Sequence, residues 1–332
     1  MKRHTQHGAA LLLAMLTVTL VATFASAALW QQWRGVEIES AERSRTQMQW
    51  ILNGALDWSR LILQEHARSS APDVDHLSEP WALPLQEARL SSFLAVDKNN
   101  TDDAMDAFLS GQITDQQGLL NVRNLVQDGK PKPAAVKTFT RLFAQLSLPG
   151  NQVQTLVDKL IASDAASNSD TKPDAQSQGL VKALAPLKPY RMEQLIWLGL
   201  PTSTVQALMP YTTLLPKITK LNLNTASAEV LHAALPSVDM AQAHQMVSSR
   251  SSSHFKSVAE GLKAANMGEG ALSSVDANDF SVGTNYFAVR GRLRLGESTV
   301  QEVSLVKREG TSVKVVWRQR EVQTATAMAS LQ

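Results

Sequence analysis

The apolar positions of this chain change register along its length, and each change marks a predicted element. From Ala9 to Trp30 no residue is charged, and the run AALLLAMLTVTLVATFASAALW is apolar on every side. About 20 helical residues cross the hydrocarbon of a bilayer, so this stretch suits one transmembrane span. Its only hydroxyls, on Thr17, Thr19, Thr23 and Ser26, belong to residue types that bond back to helix carbonyls. From Gly35 onward the pattern becomes one-sided. Val36, Ile38, Met48, Ile51, Leu52, Ala55, Trp58, Leu61 and Ile62 recur at largely helical spacing, with no proline before Pro72. Together the two stretches predict one helix from about Ala9 to Ala67, on the order of 90 Å long. Residues 9–30 form its membrane half and residues 31–67 its amphipathic half. A cleaved secretory signal is the competing reading, because Ala25-Ser26-Ala27 fits the small-x-small cleavage pattern. Signal cores are shorter, about 7–15 residues, and do not usually continue into a second amphipathic helix.

Beyond the helix, Pro72, Pro80 and Pro84 predict a loop. The acidic stretch DKNNTDDAMD (97–106) reads as an exposed turn, and FLSGQITDQQGLLNVRNLV alternates like a hairpin. Residues 68–127 are thus a loop and the first strands of a sheet, and QDGKPKP (127–133) is a linker. From Ala134 to about Leu272 the spacing is helical, as in AAVKTFTRLFAQL, NQVQTLVDKLIA and RMEQLIWLGL, with a polar low-complexity loop over 163–179. After Asp279, TNYFAVRGRLRLGES, TVQEVSLVKREG and SVKVVWRQREV predict three strands separated by glycine turns. The reading is α+β. A long N-terminal helix packs on an antiparallel sheet, an all-helical domain (128–282) is inserted between strands, C-terminal strands (283–322) complete the sheet, and a tail (323–332) is disordered.

Composition narrows the chemistry. With 32 Lys plus Arg against 30 Asp plus Glu, no global field draws in nucleic acid. The absence of cysteine excludes disulfides and thiolate zinc sites. Lys2 and Arg3 put the N-terminus in the cytoplasm, and Trp30 and Trp33 stand where an aromatic belt meets the far interface. The seven histidines are scattered, and no HExxH, GxSxG or P-loop pattern occurs, so the sequence predicts a structural protein and not an enzyme. Trp50, Trp58, Trp81, Trp197 and Trp317 read as core or interface anchors. Residues 221–264 have the pattern of a helix–hairpin–helix unit, which makes membrane-anchored DNA capture the alternative function. Its turn, Pro236-Ser237-Val238-Asp239, lacks the glycine that lets backbone approach phosphate and carries an acid instead. Its nearby cations are few: Arg250, Lys256 and Lys263.

A short basic leader (1–8) ending in Gly8, followed at once by an apolar helix and an amphipathic continuation, resembles the type IV pilin family. The resemblance implies that prepilin peptidase cuts between Gly8 and Ala9 and that Ala9 is N-methylated. Most members carry glutamate at the fifth mature position, where this chain has Leu13. That glutamate neutralises a neighbour's terminal ammonium inside the apolar bundle, where an unpaired charge is costly. Leu13 offers no such carboxylate and suits the end of a filament. In this the chain resembles the minor pseudopilin K family of type II secretion. Val74–Ala82, Ser110–Leu125 and Leu221–Ala226 with Glu229-Val230-Leu231 resemble that family as well. The resemblance implies a subunit anchored once in the bacterial inner membrane with its bulk in the periplasm. There it would help to initiate and cap the pseudopilus that drives folded proteins across the outer membrane. It implies minor pseudopilins I and J and the major pseudopilin G as partners, and secreted exoproteins as further contacts. It also implies calcium near Asp164, Asp170 and Asp174, an oxygen-rich set that competes with a plain solvated loop because its spacing matches no EF-hand.

Overall fold

The computed structural model describes residues 7–68, 74–90, 107–168, 185–268, 270, 275–296 and 298–323. The leader residues 1–6, the acidic stretch 97–106 and the tail 324–332 lie outside them. Helix α1 spans His7–Arg68, 62 residues, and at 1.5 Å per residue it is about 93 Å long. Thr17, Thr19, Thr23 and Ser26 donate to the carbonyls of Ala14, Leu16, Leu20 and Ala22, so the apolar half leaves none of these hydroxyls unpaired. Every residue from Ala9 to Glu42 is exposed, whereas Met48, Leu52, Leu56 and Leu63 on one stripe are buried.

A 3-10 turn, Pro80–Ala82, follows the long helix. Strand β1 (Leu85–Arg89) leads to β2 (Ala107–Asp115). Next come β3 (Leu120–Asn121), a 3-10 turn at Val122–Leu125, β4 (Val126–Gln127) and β5 (Lys130–Pro131). The β4–β5 turn places Asp128 and Gly129 both at positive φ, the pairing a two-residue hairpin requires. Helices α2 (Pro133–Gln145) and α3 (Asn151–Asn168) precede a 3-10 segment, Met192–Leu198. Helix α4 (Thr202–Leu208), β6 (Thr212–Thr213) and β7 (Leu221–Asn222) come next. Then follow α5 (Ala228–Ala234), α6 (Met240–Ser252) and α7 (Val258–Ala264). After β8 (Phe280–Ser281), the chain ends in β9 (Tyr286–Leu295), β10 (Ser298–Glu309) and β11 (Ser312–Gln323).

The main sheet runs β1-β2-β9-β10-β11, antiparallel throughout. The lower half of α1 lies on one face of it. Leu56, Leu63, Trp81, Ile113, Phe287, Val289, Val306 and Val313 form one apolar cluster between them, and Met48, Leu52, Leu109 and Leu293 belong to a second. Gly291 sets the approach of helix to sheet, since a Cβ there would lie 3.3 Å from Leu52 Cδ2. The inserted block has its own larger core, which includes Phe139, Leu142, Phe143, Leu156, Leu160, Leu195, Leu208 and Leu231.

Four expectations need correction. The hairpin predicted over 108–126 does not form: β2 pairs with β1 and β9, while Leu120, Val122 and Leu125 turn into the core of the insertion. Burial of these three residues outweighs their local strand pattern. The insertion is not all-helical, because β3 pairs parallel with β6 and β7 parallel with β8. Helix α3 runs through Asn168, so residues 163–168 are helical and not loop. Strand β1 was not anticipated between Pro84 and Leu90; among the described residues its strand neighbour is β2, and four of its five residues are exposed, so it shows no alternation of apolar and polar positions.

Candidate functional site

Helix α1 carries the first candidate. Gly8, Ala9 and Leu13 lie in its first turns, and Leu13 is 66% exposed within an apolar surface that none of the described residues covers. Among the described residues, one helix is long and apolar enough to cross a membrane. In the lower half, Trp50, Gly54, Trp58 and Leu61 fall within about 80° of one another on the side opposite the sheet-facing stripe. Trp50 is 71% and Trp58 65% exposed. Beside them runs an apolar groove of about 670 Å³ between α1 and the β1–β2 edge, lined in part by Gly54, Trp58, Ile62, Leu83 and Leu85. Two exposed tryptophans flanking a glycine make a notch into which an amphipathic helix can pack. The helical spacing was legible in the sequence. Which tryptophans face outward was not, because that depends on where the sheet lies.

The second candidate is the seam between sheet and insertion, where the three sequence segments with family resemblance converge. Asp115, at the end of β2, accepts from Gln117 N (2.6 Å), Thr225 Oγ1 (2.6 Å) and Asn222 Nδ2 (2.9 Å). Asn222 Nδ2 also donates to Asp75 O, which ties in the first segment. Asn224 closes a two-way contact with Phe255, donating to its carbonyl and accepting from its N–H. Burial pushes the Asp115 carboxyl up, and these bonds act against that. Gly118 is required by crowding: a Cβ would meet Thr225 Oγ1 at 2.6 Å.

Next to it, His66 from the last turns of α1 enters a knot of buried charge. Arg308 of β10 donates to Asp75 Oδ2 (2.5 Å), Thr284 O (2.7 Å) and His66 Nδ1 (2.9 Å). Because Nδ1 accepts, the ring proton sits on Nε2 and is donated to Glu79 Oε2 at 2.6 Å. Trp81 Nε1 donates to the same oxygen at 2.6 Å. Burial pushes the Asp75 carboxyl up against the pull of Arg308. Burial acts to raise Glu79 too, but the hydrogen bonds it accepts from His66, the His76 N–H and Trp81 outweigh it and hold that carboxyl below its usual range. His66, Asp75 and Glu79 offer donor atoms within 4.8 Å of one another, the spacing of a metal site. They do not fit a cation, because the guanidinium already sits against Asp75 and fixes the wrong tautomer at Nε2.

His76 stacks on His254 of the insertion, with ring centroids 3.9 Å apart and planes 6° from parallel. Its Nδ1 is buried without a hydrogen-bond partner among the described residues. Burial holds the His76 imidazole below the usual histidine range, against the pull of Glu79. An unfolded chain therefore takes this proton first, so stability present above about pH 6.5 declines as pH falls through that value. The melting temperature should drop between about pH 7 and 5.5, and His76→Phe, which keeps the stack without the charge, should flatten that part of the profile.

The remaining candidates behave differently. Asp164 lies on α3 with Arg123 donating to both carboxylate oxygens at 2.9 Å and Lys188 at 3.1 Å from Oδ1. Two cations on one carboxylate oppose a third, so Asp164 does not fit a calcium ligand in this arrangement. Asp170 and Asp174 lie outside the described residues. In the helix–hairpin–helix segment, Arg250 is buried, donates to Leu223 O at 2.6 Å and is pushed down to about 10 by burial. Asp239 caps α6 through a capping box with Gln242, placing a carboxylate at the helix N-terminus that a phosphate would need. The sequence missed the Arg308 knot. Its signal was weak: two acids, Asp75 and Glu79, in a short loop that the fold buries.

Two family models, both described as type II secretion system (T2SS), protein K, match residues 118–217 and 221–283. The type II secretion system protein K of Pseudomonas aeruginosa is 31% identical over 92% of this chain and 90% of the relative. That of Klebsiella pneumoniae is 26% identical over 95% of this chain and 96% of the relative. A chain of the solved GspK-GspI-GspJ complex from the type 2 secretion system of enterotoxigenic Escherichia coli shares the fold. Its TM-score is 0.64 at 19% identity, covering 85% of this chain and 98% of that one. On its extended match to the Pseudomonas relative, the chain belongs to the type II secretion system protein K family.

Proposed function

We propose that this chain is the minor pseudopilin at the tip of the type II secretion pseudopilus, where it helps to initiate and cap the filament that drives folded proteins across the outer membrane. It acts as a structural, non-enzymatic subunit, anchored once in the bacterial inner membrane with its bulk in the periplasm. The observation that carries this reading is the division of α1. Its upper half is apolar and, among the described residues, exposed, and its lower half splits into a buried stripe and an exposed tryptophan stripe. The upper half supports insertion into a bilayer and then into a bundle of like helices. The lower stripe supports docking of a companion helix. The related solved complex contains GspI and GspJ, which supports minor pseudopilins I and J as the companions; the family resemblance implies the major pseudopilin G below. Prepilin peptidase would process the chain between Gly8 and Ala9. Leu13 and the bulk of the insertion both suit a terminal position, one lacking the carboxylate a neighbour would use and the other obstructing a subunit above.

The test uses the full chain in detergent. The double variant Trp50→Ala/Trp58→Ala should weaken binding to the I–J pair by about 2 kcal/mol or more, roughly thirtyfold, with an unchanged melting temperature because both rings are exposed. Undiminished binding would remove this face from the interface. N-terminal analysis of the mature protein should find methylated Ala9, and a start at Ala28 would overturn the filament reading.

A further inference from the structure

We infer that the cavity at the seam between the β9–β10 wall and the 217–220 segment is a binding site for an acidic peptide segment of another protein. The cavity holds about 690 Å³ and reaches from Ala67 at the end of α1 to Gly310 in the β10–β11 turn. Among the described residues, four cationic side chains line it, Lys217, Lys220, Lys307 and Arg308, against one carboxylate, Asp75. Arg308 neutralises Asp75, and Lys307 pairs with Glu309 at 2.5 Å. Lys217 and Lys220 are exposed, and among the described residues neither ammonium has an ion-pair or hydrogen-bond partner. The lining therefore keeps two uncompensated positive charges.

The lysine-bearing segment is held in place from behind. Asn121 Nδ2 donates to Lys217 O (2.8 Å) and Thr219 Oγ1 (3.0 Å). Asn124 donates to Thr219 O (2.7 Å) and accepts from Thr219 N (3.0 Å). Gln117 Nε2 donates to Lys220 O at 3.1 Å. Four contacts to the backbone and one to the Thr219 hydroxyl thus fix the segment that carries two free ammoniums, which lowers the ordering cost of binding an anion. The segment from Trp30 to Ala67 is about 56 Å of helix, so lipid headgroups at the membrane surface are out of reach of this cavity. The anion comes from the aqueous side. A volume of this size exceeds what one phosphate needs and suits several residues of peptide. Among the described lining residues the one guanidinium is already held by Asp75, Thr284 and His66, which leaves lysine point charges and no free fork for phosphate. This inference is separate from the filament reading, since it concerns what meets the far end of the subunit.

The probe is fluorescein-labelled hexaglutamate, titrated by fluorescence anisotropy against the full chain in a non-ionic detergent. Binding should be seen at about 50 mM salt and weaken sharply by about 300 mM. The variant Lys217→Glu/Lys220→Glu should bind about tenfold or more weakly, while Lys256→Glu/Lys263→Glu, which alters exposed lysines elsewhere on the insertion, should bind like the parent. If the first variant melts early, Lys217→Gln/Lys220→Gln replaces it. Equal binding by the lysine 217/220 variants, or an equal loss in the 256/263 variant, would overturn the site. Competition by inorganic phosphate as strong as that by unlabelled hexaglutamate would make the ligand a small anion and overturn the peptide assignment.

Discussion

Replacing Arg308 with methionine lowers the stability of the folded chain by about 3–5 kcal/mol, the usual cost of breaking a buried ion pair from one side. Asp75 is fully buried and would be left as an uncompensated carboxylate, while His66 Nδ1 and Thr284 O would lose a donor. The double variant Arg308→Met/Asp75→Asn should recover most of the loss. It removes the buried charge yet keeps an oxygen for Thr284 N–H, which Asp75 Oδ2 accepts at 2.7 Å. Chemical denaturation of the parent and these two variants decides the matter: if the second substitution adds its own loss to the first, the charge account is wrong. The pH dependence has a definite sign. Burial already holds the Asp75 carboxyl up, and losing Arg308 raises it further, so the folded variant takes a proton before the unfolded chain does. The deficit of Arg308→Met is therefore largest at neutral pH and shrinks as pH falls toward the carboxylate range.

Trp81→Ala is the second large effect, also about 3–5 kcal/mol. The indole is 1% exposed, meets Phe287 edge-on at 5.2 Å between centroids, and donates to Glu79. Alanine removes the packing and one of the hydrogen bonds that keep Glu79 ionised beside His66. Trp81→Phe should cost clearly less, since it refills much of the volume and loses only the N–H donor. Midpoints of denaturant unfolding separate the two, and equal losses would mean that the hydrogen bond outweighs the cavity. Both variants act where α1, the 3-10 turn and β10 meet, so both should loosen the sheet from the helix that anchors it.

The elements with long, regular periodicity were readable. Helix α1 appears where uncharged and then one-sided spacing placed it, and β9, β10 and β11 follow the three alternating runs near the C-terminus. Short elements were not readable. Leu120–Leu125 alternates like a strand but is drawn into the core of the insertion, and the two-residue pairings β3–β6 and β7–β8 join segments about 60 to 90 residues apart with no local signature. Asp164 shows the same limit at a candidate site. Its neighbours in sequence suggested an open oxygen-rich loop, whereas Arg123 and Lys188, distant in sequence, claim its carboxylate.

The sequence alone determined that this protein has one uninterrupted apolar segment, a long helix continuing from it, a strand-rich C-terminus and a helical block between. Each follows from local spacing and from the cost of exposing apolar groups to water. The tertiary structure alone decided which face of α1 is covered, leaving Trp50 and Trp58 outward and Leu52 and Leu56 inward. It also gathered Asp75, Glu79, His66 and Arg308, up to 242 residues apart in sequence, into one buried network. Burial and pairing of charge depend on which surfaces meet in space, and separation along the chain carries no record of that.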